Sequence, residues 1–245
     1  MLGIIGGSGL SQLASLEVLQ RRAVRTPYGQ PSGPLTLGRL GGRQVVFLAR
    51  HGPGHSIAPH EINYRANLWA LRSHQVDAVV SVATVGGIRR DLGPGVIVIP
   101  DQIVDYTSGR AATFFEGAGS QVRHIDFTHP YSRRLRSRLL AAARAAGEPV
   151  VDGAVYAATQ GPRLETAAEI DRFERDGADL VGMTGMPEAA LARELGLDYA
   201  AISAVANYAA GRGDSEQGIL LERIEMVLEQ AMGKVRRIID HVVQQ

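Results

Sequence analysis

The 245-residue chain contains no cysteine. That excludes disulfides, thiolate metal sites and a cysteine nucleophile, and it fits a reducing, cytoplasmic setting. Excess charge of either sign is also missing: 26 Lys and Arg face 25 Asp and Glu, for a net charge of +1. No broad field therefore favours nucleic acid or an anionic membrane, and any anion site must be local. No stretch approaches the ~18 apolar residues of a membrane span. The opening MLGIIGGSGL lacks the basic region and long apolar core of a signal peptide. Repeats, low-complexity tracts and linkers are absent too. What remains is 45% apolar and 21% charged, an ordinary globular composition. The length suits one large α/β domain over residues 1–245.

Unalternating apolar runs mark strands covered on both faces. LGIIG (2–6), VDAVVSVATVGG (76–87), GVIVIPDQIVDY (95–106), ADLVGM (178–183) and LDYAAISAVANY (197–208) all read this way. Residues 33–50 read as a hairpin turning at Gly41-Gly42. Helical spacing covers 59–75, 132–146 and most of 216–243. Thr166 with Glu169 forms a capping box, and Pro187 suits the first turn of another helix. Strands alternating with helices indicate an α/β/α sandwich with a mainly parallel sheet. Residues 107–119, rich in glycine and alanine, read as a loop.

Ligands of such folds sit at the carboxyl ends of strands. Five strand ends here carry unusual residues: Gly6-Gly7-Ser8-Gly9, Arg50-His51-Gly52, Thr84-Val85-Gly86-Gly87, Met183-Thr184 and Asn207. GGSGL can bring backbone N–H groups close to an anion. It is neither a dinucleotide fingerprint, lacking the third glycine and a following acid, nor a Walker loop, lacking the lysine. Arg50 offers a planar fork and His51 a second donor, both suited to phosphate. His51 and His55 are separated by Pro53 and two glycines, so they do not share a helical face, and no third ligand suggests a metal. With Ser8, Thr84 and Thr184 they form a hydroxyl-rich, singly basic pocket. That suits one inorganic phosphate better than a polyphosphate with its Mg²⁺ and lysine. No acid is evident at these five ends.

At this point the chain resembles a known family. IGGSGL, ARHGPGH with the following P and NYRAN, GGIRRDLGPGVIVIPDQIVD, QGPRLETAAE and VGMTGMPEAALARELG look like the purine nucleoside and methylthioadenosine phosphorylases, in order along nearly the whole chain. The resemblance implies a mixed, partly barrel-like central sheet, a homotrimer, and reversible phosphate-dependent cleavage of a purine nucleoside. It implies no metal or organic cofactor, phosphate being a co-substrate. By resemblance Ser8, Arg50, His51, Ala83, Thr84 and Thr184 contact phosphate, and Met183 packs on the ribose. Glu165 and Asn207 hold the base, His55 lies near the sugar, and His124 reaches a neighbouring subunit's pocket.

Enzymes of this family that act on 6-aminopurines have aspartate at position 207 and again two residues later. They have serine where this chain has Glu165. Here Asn207-Tyr208-Ala209 and GPRLET match the 6-oxopurine pattern, and by resemblance Tyr208 and Ala209 join Asn207 against the substrate. The donor–acceptor count agrees. An ionised Glu165 accepts from the N1–H of an oxopurine and opposes the N1 lone pair of adenine. The Asn207 amide donates to O6 while its carbonyl accepts a proton on N7, which would stabilise the departing base. At the 5′ end a histidine commonly faces a hydroxyl, but DSEQGILLERIEM offers Ile219 and Leu220 instead. An apolar wall suits a 5′-methylthio group, although these residues also fit the apolar face of a helix. The combination points to 5′-methylthioinosine. Inosine or guanosine, then methylthioadenosine, follow as alternatives. A nucleosidase, or a non-catalytic nucleoside-binding protein, is the rival of another class.

Overall fold

The computed structural model describes residues 1–10 and 13–245. Its strands are β1 (Leu2–Gly6), β2 (Glu17–Arg22), β3 (Leu35–Leu40), β4 (Arg43–Ala49), β5 (Ala78–Gly87), β6 (Ile97–Ile99), β7 (Gln102–Asp105), β8 (Val151–Asp152), β9 (Val155–Ala158), β10 (Leu180–Gly182) and β11 (Asp198–Tyr208). The helices are α1 (Tyr64–Ser73), α2 (Arg133–Ala145), α3 (Ala167–Arg175), α4 (Gly185–Glu194) and α5 (Leu221–Gln244).

The sheet has the order β2-β3-β4-β1-β5-β10-β9-β7 and forks at β5, which also pairs with β11, itself joined to β6 and through it to β8. Most pairings are parallel, as the apolar runs predict; β2–β3, β3–β4, β5–β10 and β6–β11 are antiparallel. The fork positions the site. The first half of one β5 edge, Ala78 to Ser81, pairs with β1. Its last two residues, Gly86 and Gly87, pair with β10. Between these partners this edge of β5 leaves Ala83 and Thr84 without a strand neighbour among the described residues, and there the sheet opens into a cavity.

Side-chain alternation along the strands separates two cores. Ile4, Val80, Val82, Ile202 and Ala204 face α2 and α5. Ile5, Val79, Val85, Ala201 and Val205 face α1 and α4. α5 meets its face through Leu228, Ala231, Met232, Val235, Ile238, Ile239 and Val242, the three-and-four spacing of one apolar stripe. The result is the expected three-layer α/β/α arrangement.

Local signals explain most boundaries. Ser132 caps α2 by accepting from the Leu135 N–H, and Thr166 and Glu169 complete both halves of the capping box of α3. α1 begins five residues later than the periodicity suggests, because the Asn63 side chain accepts from the Ala66 N–H and caps it there. The run 95–106, expected as one strand, is two. Pro100 lacks the N–H a ladder needs, and Asp101 turns aside to bind the Ala154 N–H at 2.9 Å. β2 was not evident in the sequence. All six of its residues are exposed, so it carries no apolar pattern.

Candidate active site

A cavity of about 460 Å³ opens over the fork in the sheet. Ser8, Arg50, His51, His55, Ala83, Thr84, Glu165, Met183, Thr184, Asn207, Ala209 and Ile219 all line it. Residues from opposite ends of the chain, expected together from strand-end positions and from the family resemblance, share one space.

Arg50 immediately follows β4 and lies under the glycine turn that follows β1. A Cβ on Gly7 would stand 2.8 Å from Arg50 Nη1 and 2.6 Å from the Val82 carbonyl, so only glycine allows this approach. The arginine is 1% exposed. It does not offer its fork to the cavity as the sequence suggested. Nε donates to Glu188 Oε2 at 2.7 Å, Nη2 to Glu188 Oε1 at 2.9 Å and to Ser81 Oγ at 2.6 Å, and Nη1 to the Val82 carbonyl at 2.8 Å. A guanidinium has five N–H donors, so one N–H on Nη1 is left for a ligand. Burial opposes the charge of Arg50, but the Glu188 carboxylate outweighs it and holds the guanidinium protonated.

Glu188 corrects the expectation that no acid lies among these strand ends. It sits in the first turn of α4, fully buried. Besides Arg50 it accepts from Ser81 Oγ and Tyr199 Oη, both at 2.8 Å. In sequence it stands within MPEAALARELG, where an acid near a helix start looks like an ordinary dipole partner.

His51 also differs from expectation. Its Nδ1–H donates to the Ile57 carbonyl at 2.9 Å. Burial, and then the charge of Arg50, lower its pKa from 6.5 to about 4. At neutral pH the ring is uncharged and its Nε2 is an acceptor, not a second cationic donor. The ring packs 4.2 Å from that of His55, centroid to centroid. His55 Nε2 lies 3.4 Å from Ser8 Oγ. Thr84 Oγ1 donates to the Ser8 carbonyl at 3.1 Å, tying β5 to the glycine turn. Thr184 precedes α4 with its hydroxyl unused as a cap. The floor of the cavity is thus rich in polar groups, and its Arg50–Glu188 ion pair is internally neutralised. Among the described residues, no group of three His, Asp or Glu side chains is placed to hold a metal.

The residues expected to hold the base, Glu165 and Asn207, line the same cavity. Asn207 Nδ2 donates to the Tyr208 carbonyl at 2.6 Å. That leaves one N–H and the carbonyl oxygen of the amide for a ligand. Glu165 Oε1 accepts from Thr159 Oγ1 at 2.6 Å. Ala209, 2% exposed, adds no polar group. Tyr208 is a correction. Strand alternation turns it away from Asn207, and its hydroxyl reaches the Arg90 carbonyl at 3.2 Å, outside the cavity.

Ile219 lines the cavity, but Leu220 does not: it is 58% exposed at the N-cap of α5. The apolar wall is completed by Ile224, one turn into α5, and by Leu164, neither evident in the sequence. His124 lies exposed on the segment before α2 and does not reach this chain's own cavity. Arg110, within the expected loop, was also missed. Its guanidinium donates to the carbonyls of Met183 and Met186 at 2.8 and 2.6 Å, and of Thr159 and Gln160 at 3.1 and 2.8 Å. It ties the segment that follows β9 to the one that follows β10.

Known proteins match this architecture along its length. The family model of the phosphorylase superfamily matches residues 1–244. A protein described as a probable S-methyl-5′-thioinosine phosphorylase, from Xanthomonas campestris, is 56% identical over 226 residues, covering 92% of this chain and 90% of that one. A 6-oxopurine nucleoside phosphorylase of Pyrococcus furiosus is 46% identical over 215 residues, 86% of this chain and 80% of that one. Among solved structures, a methylthioadenosine phosphorylase of Schistosoma mansoni in complex with adenine superposes with a TM-score of 0.94 at 33% identity, covering 99% of this chain and 90% of that one. With the forked sheet, the polar floor and the matched span all in agreement, the chain belongs to the phosphorylase superfamily.

Proposed function

We propose that the protein cleaves the glycosidic bond of a 6-oxopurine nucleoside with inorganic phosphate, and that S-methyl-5′-thioinosine is its preferred substrate. The products are hypoxanthine and 5-methylthioribose 1-phosphate. The observation that carries this reading is the meeting of Glu165 and Asn207 with Ser8, Arg50, His51, Thr84 and Thr184 in one cavity. Relatives named for S-methyl-5′-thioinosine and for 6-oxopurine nucleosides support it.

Phosphate binds on the polar floor, beneath the sugar. It meets the one available N–H of Arg50, the hydroxyls of Ser8, Thr84 and Thr184, and the backbone beside Ala83. Neutral His51 accepts from a P–OH. As the C1′–N9 bond breaks, its electron pair leaves with the purine and C1′ gains cationic character that phosphate oxygen captures. The proton of hydrogen phosphate balances the one the free base gains. Asn207 stabilises the departing base by accepting from N7–H and donating to O6, a contact that strengthens as charge moves onto the ring. Met183 packs against the sugar and His55 lies at its edge.

A nucleosidase would need a carboxylate free to activate water. Glu188, the acid bonded to Arg50 under the floor, already has four donors on its two oxygens. That favours phosphorolysis over hydrolysis. A non-catalytic binder would have no use for a phosphate floor beside a base wall.

Base choice follows from Glu165 and Asn207. Adenine would oppose its N1 lone pair to Glu165 and its amino group to the Asn207 amide. Each mismatch costs about 1–3 kcal/mol, so the pair discriminates by about 100-fold or more. Ile219, Ile224 and Leu164 give the 5′ group an apolar wall. The reading requires no cofactor or metal. It includes a cytoplasmic homotrimer in which the exposed His124 serves a neighbouring copy's cavity. Comparing kcat/KM for methylthioinosine, inosine and methylthioadenosine tests it. Methylthioinosine should lead. A preference for inosine would remove the 5′ argument, and one for methylthioadenosine would remove the base argument.

A further inference from the structure

We propose that Thr159 is a positioning residue that sets base selectivity by holding the Glu165 carboxylate toward the purine. The inference rests on the reading of Glu165 as the acceptor for N1–H.

Glu165 lies in a partition. On one side is the 460 Å³ cavity; on the other is a second cavity of about 410 Å³, which Glu165 also lines. The second cavity carries two guanidinium groups, Arg163 and Arg172. Arg163 is held by Glu169 at 2.7 and 2.8 Å, and Arg172 stands 3.7 Å from Asp176. A half-buried glutamate beside two cations and an open space has an obvious second place to go.

The Thr159 hydroxyl opposes that. It has a single proton and two acceptors in range, Glu165 Oε1 at 2.6 Å and the Gly182 carbonyl at 3.3 Å. The shorter, charge-assisted bond is much the stronger. It occupies Oε1, while Oε2 makes no hydrogen bond to any described residue and is left for the base. The hydroxyl springs from a fixed frame. Thr159 is 7% exposed, its N–H donates to the Gly182 carbonyl at 2.8 Å, and Arg110 holds its own carbonyl. Donor and carboxylate are separated by the tight QGPRL segment. The bond therefore fixes the side chain of Glu165 relative to β9 and not only to its own loop.

A contact made equally to bound nucleoside and transition state moves KM and leaves kcat in place. In Thr159→Val, which keeps the shape and loses the donor, KM for methylthioinosine should rise about tenfold, the scale of one charge-assisted hydrogen bond, with kcat within about twofold. Thr159→Ser should restore wild-type KM, and Thr159→Ala is the second donor-free variant should valine disturb folding. In a Glu165→Gln background, Thr159→Val should add less than about twofold, because the two changes break one link. An unchanged KM in both donor-free variants, or the same rise in the Glu165→Gln background, would overturn the proposal. The underlying reading fails separately. If Glu165→Gln alone leaves the preference for methylthioinosine over methylthioadenosine intact, Glu165 does not read the base, and Thr159 has nothing to position.

Discussion

The Arg50–Glu188 pair offers the sharpest quantitative test of how the floor of the cavity is built. Both side chains are 1% exposed, and Glu188 receives four hydrogen bonds from Arg50, Ser81 and Tyr199. In Glu188→Gln an NH₂ replaces one oxygen and points at donors, and the charge facing Arg50 is gone. Breaking a buried pair from one side costs about 3–5 kcal/mol. At about 2–4 °C per kcal/mol for a chain of this size, Tm should fall by roughly 10 °C. The same variant should raise KM for phosphate, because the guanidinium loses the partner that aims its last N–H. Replacing both partners, as in Arg50→Met with Glu188→Leu, removes the uncompensated charge. It should recover most of the lost Tm while leaving phosphate binding abolished. Thermal unfolding and phosphate saturation curves on the three proteins decide the matter. If Glu188→Gln melts within about 2 °C of wild type, less than about 1 kcal/mol has been lost and the pair is not what shapes the floor. If the double variant still binds phosphate normally, Arg50 does not contact it.

Two other outcomes follow from the same geometry. Asn207→Ala should lower kcat by roughly 100-fold, the scale of one lost transition-state donor, with KM for phosphate changed only a few-fold; an unchanged kcat would remove Asn207 from leaving-group stabilisation. His51 links stability to pH. Its folded pKa of about 4 lies below the ordinary 6.5, so the unfolded chain takes up a proton that the folded protein refuses. Its share of stability is complete above pH 6.5 and is lost as pH falls toward 4, about 3 kcal/mol in all. Chemical denaturation across that range should show this slope in the wild type and a flatter one in His51→Gln; identical slopes would mean that His51 protonates freely in the folded state.

What could be read from the chain follows from what each feature needs. The apolar runs of β1, β5 and β11 and the caps Ser132 and Thr166 are local patterns, and the structure keeps them. β2 has no buried face, so no periodicity announced it. The break at Pro100-Asp101 was hidden by apolar residues on both sides. In the site, residues at strand ends were legible because parallel sheets gather such ends together. Asn207, Thr84 and Thr184 needed only that rule. Glu188 and Arg110 are different. Each is an ordinary charged residue in its local sequence, and its role comes from partners 138 and up to 76 positions away. His51 lines the cavity as expected, but its role as a donor there does not survive, because its ring N–H is spent on the Ile57 carbonyl and burial beside a guanidinium keeps the other nitrogen unprotonated. Tyr208 and Leu220 were misassigned by one residue, the step at which a strand or a helix start turns a side chain to another face.

Product formation from methylthioinosine with and without phosphate decides whether the protein cleaves an oxopurine nucleoside by phosphorolysis. Hypoxanthine should appear together with 5-methylthioribose 1-phosphate, in equal amounts, and only when phosphate is supplied. Hypoxanthine released at the same rate in phosphate-free buffer, with free methylthioribose, would make the protein a hydrolase instead.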